Sequence, residues 1–387
     1  MSWSNGPAFL LGALLCVPAM LYAVRLLQYR RHWLGPPTLV HQSSAPAAGL
    51  AVSVLIAARN EAHHLPQLLA DLQQQTGPIG ADQFEVVVVD DHSTDSTAAV
   101  VEQAAATSKL AIRLLRLDKL PHRPIGKKAA VAAAIAAARA PWLLLTDADC
   151  RVSRQWLAAY APLMQDSTVQ FISGPVLLTG QGLLARLQGL ELAALVAVGA
   201  AGIRAGAPTM CNGANLAYRR QAFDAVGGFA GNEHVPSGDD EFLLHKIAAT
   251  FPGGVRFLQH PDATVRTDAQ PTLLALLHQR VRWASKWQHY RTAAPRRLAV
   301  LVLGANLSLA LLPVVAAVWP VLWPWVAAAW LLKLGADLYF LTPVLAFFGR
   351  RRWLALVPLL QLVYPVYALA TGLMGLRGGY RWKGRSV

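Results

Sequence analysis

The sequence predicts an α/β domain, with a mostly parallel sheet and helices on both faces, joined to transmembrane helices at both ends of the chain. Three observations predict it. Apolar residues make up 55% of the 387 and are concentrated towards the two ends, while charged residues make up only 14%, against about a quarter in soluble domains. Between the ends, short β-branched runs alternate with helical patterns. Acidic loops follow several of those runs.

The first apolar run, residues 8–29, is close to the roughly 20 residues needed to cross the hydrocarbon core of a bilayer. A cleaved signal peptide is the competing interpretation. Basic residues follow the run rather than precede it, and no small-residue cleavage site precedes the globular part. We therefore predict a retained transmembrane anchor over 1–34 with its N-terminus outside. A linker rich in Pro, Ser and Ala follows over 35–49.

The middle of the chain, residues 50–295, is predicted to be one globular domain. Continuous apolar runs at 51–58 and 84–90 have the length of buried parallel strands. Strands alternating with helices imply a parallel sheet with right-handed crossovers. Further elements are predicted as strands at 111–117 and 141–149, and as helices at 61–75, 127–140 and 183–203. The last of these helices carries Arg186 and Glu191, so it is expected in the core or at the membrane surface, with a true membrane span as the less favoured alternative.

The remaining region, residues 296–387, is predicted to contain transmembrane helices and a basic tail. The apolar runs at 298–319, about 325–348 and 353–376 are each long enough to span. One span before the globular domain and three after it would place the tail outside, whereas the positive-inside rule prefers it inside. A re-entrant segment or a broken final span would remove this conflict, and both alternatives stay open.

The net charge of +14 raises nucleic acid as a partner. Many of the basic residues flank apolar runs, as Arg350, Arg351 and Arg352 do. Lys and Arg beside membrane spans hold those ends in the cytoplasm and contact anionic lipid. We therefore predict membrane lipids as partners and no nucleic acid. The chain is expected to be a multi-pass protein of the cell (inner) membrane with its globular domain in the cytoplasm.

Acidic and polar side chains follow three of the predicted strands. Asn60 and Glu61 come after the first strand, Asp91 after the second, and Asp147 and Asp149 after the fourth. In an open α/β sheet, ligands bind at the carboxyl ends of the strands. We therefore expect these loops to meet at one edge of the sheet.

Asp147 and Asp149 are spaced i,i+2, so on an extended segment both carboxylates project to the same side. Two carboxylates close together repel each other unless a cation lies between them. Mg²⁺ and Mn²⁺ prefer oxygen ligands and take one or two carboxylates together with phosphate oxygens. A loop with capping aspartates is the alternative, but the ordered set of acidic loops favours a site for Mg²⁺ or Mn²⁺.

The lysine after Gly126 starts a predicted helix. Gly126, Lys127 and Lys128 resemble part of a P-loop, but no glycine lies upstream at the required spacing, which excludes a P-loop NTPase. Lys127 is expected either to contact a nucleotide or to be a solvated helix end, and both alternatives stay open.

Two further motifs lie later in the chain. Asp239 and Asp240 precede an apolar helical run, where they are either helix N-terminal acids or include a general base. The segment from Gln279 to Trp283 contains Arg280 and Arg282. A guanidinium group suits phosphate oxygens and an indole suits the face of a sugar. A basic and aromatic membrane anchor is the alternative.

Together these motifs resemble the family 2 glycosyltransferases with the GT-A fold, in the membrane-integrated branch that includes polysaccharide synthases and ceramide-type glucosyltransferases. The resemblance covers about 50–290. It is carried by the ordered segments RNE, VVVDDHSTD, GKKAA, TDAD, CNGANLAYRRQAF, GDDEFLL and QRVRW. Each segment is weak alone, and the ordered set is specific.

The resemblance implies a role for each matching residue. Nucleotide contacts, usually to uridine, are implied for Asn60, Glu61, Asp91, Lys127 and Asp147, and the metal on the diphosphate for Asp147 and Asp149. Contacts to the diphosphate, donor sugar or acceptor are implied for Gly213, Asn215, Gln279, Arg280, Arg282 and Trp283. Asp239 and Asp240 match the acid pair of the family, in which the second acid is the base. Many relatives have Glu at the first position, where this chain has Asp239. This difference leaves the base open between Asp239 and Asp240.

The motifs and the resemblance together imply an inverting, metal-dependent transfer of sugar from a nucleotide-sugar, with a UDP-sugar as the expected donor, to a hydroxyl of a lipid or short glycan at the membrane. The three carboxy-terminal runs look too few and too short for a long polymer channel, but the QRVRW element occurs in processive polysaccharide synthases, which stay the alternative. A non-catalytic scaffold or transporter, or a nucleotide-sugar-binding regulator, would be expected to lack some acidic sites or the base, and none is missing. The oligomeric state stays open.

Overall fold

The computed structural model describes residues 6–35, 51–231, 238–286, 290 and 292–377, with two short segments at 381–382 and 385–386. The linker predicted at 35–49 lies almost wholly outside the described residues, as does most of the basic tail. The chain forms two compact units. The helical unit contains Met1–Gly35, Gly182–Thr209 and Gln270–Val387; the sheet unit contains Pro36–Gln181 and Met210–Ala269.

The sheet unit is built on a seven-stranded sheet within the described residues. Its strands are β1 (Val52–Ala58), β2 (Phe84–Asp90), β3 (Ala111–Arg116), β4 (Trp142–Asp147), β6 (Phe171–Ser173), β8 (Leu216–Arg219) and β9 (Val255–Phe257). Their order is β3-β2-β1-β4-β8-β6-β9. Strands β1 to β4 pair in parallel, and β8 is antiparallel to both its neighbours. The predicted α/β class with a mostly parallel sheet is confirmed.

The parallel strands are buried, which explains their continuous apolar runs. All seven residues of β2 are buried, and only Ala57 of β1 is partly exposed. The helices of this unit are α2 (Leu65–Gln73), α3 (Thr97–Thr107), α4 (Lys127–Ala137), α5 (Trp156–Gln165), α7 (Arg220–Ala225) and α8 (Asp239–Thr250). The Ala-rich α4 packs its small side chains against β1 and β2, within a core that includes Ala130 and Ala134.

A second, small sheet was not predicted from the sequence. It is formed by β5 (Cys150–Arg151), β7 (Val176–Thr179) and β10 (Val265–Asp268), in the order β5-β10-β7. These strands are only two to four residues long, too short to show a hydrophobic period. Strand β5 begins directly after Asp149, so this sheet fixes the chain that leaves the acidic loop.

The helical unit contains helices from three parts of the chain. They are α1 (Gly6–Trp33), α6 (Gly182–Arg204), α9 (Leu273–Ala284), α10 (Ala293–Val318), α11 (Trp323–Phe347) and α12 (Val357–Arg377). Of the described helices, five are long and apolar enough to cross a membrane, namely α1, α6, α10, α11 and α12. The prediction of apolar helices at both ends of the chain is confirmed.

The two units do not coincide with the segments predicted from the sequence. Helix α6 and everything from Gln270 onward group with the helical unit, although the globular domain was expected to run over 50–295. Two hydrogen bonds tie α6 to α1, because the Arg204 Nη1 donates to the carbonyls of His32 and Trp33 at 2.9 Å each. The boundaries of functional domains stay a prediction.

The helical unit buries charged side chains among its apolar ones. Lys333 and Asp337 of α11 form an ion pair with 2.6 Å between Nζ and Oδ2, and the hydroxyl of Tyr22 donates to Asp337 Oδ1 at 2.7 Å. A lone charge in an apolar interior is costly, whereas a paired one is tolerated. Their i,i+4 spacing places both side chains on the same face of α11, so each charge can neutralise the other.

Candidate active site

The loops after β1 and β2 are joined by their own hydrogen bonds. Asn60 adopts a left-handed backbone with φ of 53°. Its side-chain Oδ1 accepts from the backbone N–H of Thr94 at 2.8 Å, and its backbone N–H donates to Ser93 Oγ at 2.9 Å. Asn and Asp tolerate this backbone better than other residues because their short side chains bond locally. Asn60 therefore fixes one strand-end loop against the next.

Glu61 and Asp91 are both buried at this edge of the sheet. The backbone N–H of Glu61 donates to Thr97 Oγ1 at 2.8 Å, and the Glu61 carboxylate lies 2.8 Å from His64 Nδ1. The Asp91 carboxylate accepts from the backbone N–H of Gly126, 3.2 Å from each oxygen. A carboxylate held by a backbone donor is well placed to accept further bonds from a nucleobase or ribose.

Gly126 and the two lysines after it link three acidic sites. Gly126 has φ of 103°, a backbone that only glycine adopts readily, and the first turn of α4 starts directly after it. Lys127 Nζ lies 2.5 Å from Asp147 Oδ1. Lys128 Nζ lies 2.9 Å from Asp239 Oδ1. The start of α4 therefore brings together the loop with Asp91, the loop with Asp147 and the start of α8.

Asp240 is oriented by two backbone donors. Its Oδ2 accepts from the N–H of Gly213 at 2.8 Å, and its Oδ1 accepts from the N–H of Glu241 at 2.9 Å. A Cβ atom built on Gly213 would lie 3.3 Å from Asp240 Oδ2, which is tighter than most real contacts. The absence of a side chain at Gly213 therefore lets this backbone approach the carboxylate.

Asp239 is in a different environment. Burial raises the pKa of the Asp239 carboxyl, and the ammonium group of Lys128 acts in the opposite direction. This carboxylate is held by an ion pair with a side chain that is itself only 20% exposed. Lys128 was not singled out from the sequence, although it stands next to Lys127 in the GKK segment.

Asn215 lies at the centre of a buried hydrogen-bond network. Its Oδ1 accepts from Trp156 Nε1 at 3.1 Å and from the Tyr160 hydroxyl at 2.7 Å. Its Nδ2 donates to the carbonyls of Pro175 at 2.7 Å and Ala263 at 2.8 Å. An amide side chain has two acceptor sites and two donors, so all four are used. Asn215 thereby holds the segment that carries Gly213, two residues earlier.

Asp147 and Asp149 flank the turn between β4 and β5, with Asp149 exposed and Asp147 partly exposed. The thiol of Cys150 lies 3.8 Å from Asp149 Oδ1. Burial first, and then the negative charges of Asp147 and Asp149, raise the pKa of this thiol well above its ordinary value. Among the described residues, no three His, Cys, Asp or Glu side chains are arranged to hold a metal ion. Two carboxylates nonetheless fit Mg²⁺ or Mn²⁺ when phosphate oxygens supply further ligands, and Asp147 already contacts one cation, the Lys127 ammonium.

Sequence profiles of known families match most of the chain. The profile described as Glycosyl transferase family 2 matches residues 53–227, and that described as Glycosyl transferase family group 2 matches residues 142–368. The chain belongs to glycosyl transferase family group 2, whose profile matches more than half of it. The family resemblance predicted from the ordered motifs is therefore confirmed.

Individual family 2 proteins are similar over part or most of the chain. A β-monoglucosyldiacylglycerol synthase from a Nostoc species is 27% identical over 235 residues, 60% of this chain and 48% of the relative. A dolichyl-phosphate β-glucosyltransferase from Dictyostelium discoideum is 33% identical over 118 residues, 29% of this chain and 35% of the relative. The chain thus spans about half the length, or less, of these curated relatives.

A solved structure shares the fold of the chain. It is the mannosyltransferase PcManGT from Pyrobaculum calidifontis, in complex with GDP-Man and Mn²⁺, at 23% identity and a TM-score of 0.57. The superposition covers 92% of this chain and 97% of the other. The predicted GT-A fold is therefore confirmed.

The last family motif lies on α9, in the helical unit. Arg280 is 5% exposed, and its guanidinium bonds inside this unit to Gln279 Oε1 at 2.5 Å and to Glu191 Oε2 at 2.8 and 3.0 Å. The guanidinium carbon of Arg280 lies 4.2 Å from the centre of the Trp283 ring. Gln279, Arg280 and Trp283 are thus brought together, and the roles predicted for them and for Arg282 stay predictions.

Proposed function

We propose that the protein is an inverting, metal-dependent glycosyltransferase. It transfers a sugar from a nucleotide-sugar donor, a UDP-sugar in the first instance, to a hydroxyl group of a lipid or short glycan at the membrane. Family membership supports sugar transfer from a nucleotide-sugar, and two similar proteins are a β-monoglucosyldiacylglycerol synthase and a dolichyl-phosphate β-glucosyltransferase.

One observation carries the proposal: the start of α4 contacts all three acidic sites at one edge of the sheet. Gly126 donates to Asp91, Lys127 pairs with Asp147 and Lys128 pairs with Asp239. Acidic groups from distant parts of the chain are thereby gathered where ligands bind in open α/β sheets. A nucleoside held by Glu61 and Asp91 would direct its diphosphate towards Asp147 and Asp149.

The proposed base is Asp240. Its carboxylate is oriented by backbone N–H groups, whereas Asp239 is held by Lys128. A carboxylate fixed by backbone donors can accept the proton of an acceptor hydroxyl as that oxygen attacks the anomeric carbon. Attack from the face opposite the leaving diphosphate inverts the configuration at that carbon. The role of Asp239 is then indirect: through its ion pair with Lys128 it helps to fix the orientation of the two acids.

The leaving group is a nucleoside diphosphate, on which negative charge grows as the glycosidic bond breaks. Asp147 and Asp149 are the residues that would hold Mg²⁺ or Mn²⁺. Such an ion supplies positive charge that offsets the charge growing on the diphosphate. Lys127, 2.5 Å from Asp147, brings a second positive charge to the same carboxylate. We propose Arg282 and Trp283 as further contacts to the diphosphate and the acceptor.

The membrane location of the acceptor rests on the apolar helices. Five described helices have the length and composition to cross a bilayer. We propose that the protein is a multi-pass membrane protein whose sheet unit lies on the cytoplasmic face, where nucleotide-sugars are made. A lipid, or a glycan carried on a lipid, is then the acceptor that reaches the site most readily.

The test is release of labelled nucleoside diphosphate by the full chain in detergent, with lipid acceptors and with or without Mn²⁺. UDP-glucose, other UDP-sugars and GDP-mannose serve as separate donors. We expect one donor to be turned over, with the activity lost on chelation and in Asp149→Ala. No turnover of any donor by the wild-type protein, together with unchanged nucleotide binding in Asp149→Ala, would contradict the proposal. Product length separates single transfer from the processive synthesis of a polymer.

A further inference from the structure

Arg280 and Glu191 form a buried ion pair between two helices of the helical unit. The Nε and Nη2 atoms of Arg280 both donate to Glu191 Oε2, at 3.0 and 2.8 Å. The two side chains are only 5% and 9% exposed. The hydroxyl of Tyr367, on α12, lies 3.5 Å from the same oxygen. This pair therefore fixes the direction of the guanidinium plane on α9.

The guanidinium group of Arg280 also contacts two other residues of α9, one through its Nη1 edge and one through its flat face. The Nη1 atom donates to Gln279 Oε1 at 2.5 Å, and the guanidinium carbon lies 4.2 Å from the centre of the Trp283 ring. Gln279 and Trp283 are spaced i,i+4, so they lie on the same side of the helix. One planar group, oriented by Glu191, thus sets the position of both side chains.

Burying two charges is a poor way to gain stability. The cost of removing both ions from water often equals or exceeds their mutual attraction, and apolar residues of similar volume would pack at least as well. A guanidinium group offers what an apolar residue lacks, a rigid fork of donors and a flat face for stacking. The contacts of Arg280 use both features, which favours a role in fixing the geometry of its neighbours.

We propose that Glu191 is a positioning residue that acts through Arg280 to hold Gln279 and Trp283 for transfer. The proposal rests on the proposed function, in which Trp283 is a contact to the diphosphate or the acceptor, and on the same role that the family resemblance implies for Gln279. Arg280 itself is then a positioning residue and does not contact phosphate, because its donors on one edge are directed at Glu191 and its Nη1 at Gln279.

The test compares Arg280→Lys and Glu191→Gln with the wild-type full chain. Lysine keeps the positive charge but loses the planar fork, and glutamine keeps an acceptor oxygen but loses the negative charge. We expect kcat for transfer to fall on the order of 100-fold in Arg280→Lys, as for small displacements of groups that position a substrate. Binding of the nucleoside monophosphate, which has no second phosphate to contact, should stay unchanged. Glu191→Asp, which keeps the charge, should recover part of the loss.

A spectroscopic measurement reads the position of Trp283 directly. The protein is labelled with 5-fluorotryptophan, and the ¹⁹F resonance of Trp283 is identified by its absence in Trp283→Phe. We expect Arg280→Lys and Glu191→Gln to shift this resonance. Asp337→Asn is the matched control, because it breaks another buried ion pair of the same unit, in which Asp337 pairs with Lys333 on α11. It should leave the Trp283 resonance in place.

The outcomes separate the two proposals. A Trp283 resonance that is unchanged in both Arg280→Lys and Glu191→Gln, or equally shifted in Asp337→Asn, overturns the positioning role. This result does not depend on turnover, so Glu191→Gln still decides it if Arg280→Lys fails to fold. Absence of transfer by the wild-type protein contradicts the proposed function instead. A shifted resonance together with a normal kcat also overturns the positioning role in transfer.

Discussion

At the scale of single residues, the two neighbouring acids at the start of α8 have different partners. Asp240 is oriented by the N–H groups of Gly213 and Glu241, and Asp239 pairs with Lys128. The sequence alone left the base open between them, because both acids precede the same helix. The hydrogen bonds favour Asp240, since the carboxylate of Asp239 is already committed to a cation.

The first prediction compares the two acids. We expect Asp240→Asn to lower kcat by about 100-fold or more, the contribution typical of a general base. Asp239→Asn should cause a smaller loss, because its carboxylate acts through Lys128 and not on the acceptor. The measurement is release of nucleoside diphosphate at saturating donor, with nucleotide binding as the control for folding. Equal losses in both variants would remove the distinction.

The second prediction concerns the buried amide of Asn215. Asn215→Ala leaves Trp156 Nε1, the Tyr160 hydroxyl and two carbonyls without this partner. Each buried polar group left unsatisfied costs about 1–3 kcal/mol, so we expect a large loss of stability. Tyr160→Phe removes one bond and leaves Asn215 bonded to Trp156, and should cost about 1 kcal/mol. The midpoint of thermal unfolding in detergent should be highest for the wild type, lower for Tyr160→Phe and lowest for Asn215→Ala.

At the scale of elements, α4 is the part of the fold that joins the acidic loops. Its first turn carries adjacent lysines whose ammonium groups reach two different carboxylates, on Asp147 and Asp239. Burial raises the folded-state pKa of Asp239. Asp239 therefore favours the folded state at low pH, where it is protonated, and that contribution is lost as the pH rises through its folded-state pKa. The positive charge of Lys128 lowers the pKa of Asp239 and so makes this loss of stability smaller.

The third prediction is the pH dependence of Lys128→Met. Without the ammonium group, the pKa of Asp239 rises further, and ionising the carboxyl becomes more costly in the folded state. The difference in unfolding temperature between wild type and Lys128→Met should be small at acid pH and grow as the pH rises towards neutrality. Lys119→Met is the control, because Lys119 is 70% exposed and pairs with the partly exposed Asp118, so its effect should be small at all pH values. A pH-independent difference for Lys128→Met would contradict this account.

The elements were predictable from sequence where a single pattern is long enough to repeat. Strands β1 to β4 and helix α4 follow from continuous apolar runs and an Ala-rich stretch, and the structure has them within a few residues of their predicted bounds. Strands of two to four residues, such as β5, carry too little periodicity to be detected. The pairing of Lys128 with Asp239 joins residues more than a hundred positions apart, and nothing local in either segment specifies it.

At the scale of the whole molecule, the sheet constrains how the chain crosses a membrane. Strand β8 follows α6 in sequence, yet it pairs with β4 and β6, which precede α6. A sheet cannot straddle a bilayer, because its backbone groups would be unpaired in hydrocarbon. Both ends of α6 therefore belong on the same side. Of the described helices that are long and apolar enough to cross a membrane, α1, α10, α11 and α12 then remain as candidates.

The length of α6 also argues against a membrane crossing by this helix. At about 1.5 Å per residue its 23 residues extend about 35 Å, enough for one crossing. The chain between Arg204 and β8 would then have to return through the bilayer without helical structure, which hydrocarbon does not permit. Hydropathy alone places α6 among the candidate spans, whereas the strand order excludes it. Its charged residues, which include the Glu191 that pairs with Arg280, are in keeping with that exclusion.

The fourth prediction follows from this argument and is tested by labelling with a membrane-impermeant thiol reagent. Single cysteines replace Gln181 and Ala205, at the two ends of α6, in a background without the native cysteines. Both are exposed, and both should be labelled from the same face of sealed vesicles. A cysteine in place of Trp319, which directly follows α10, should be labelled from the opposite face. Labelling of positions 181 and 205 from opposite faces would mean that α6 crosses the membrane, and the pairing of β8 with β4 and β6 would then be wrong.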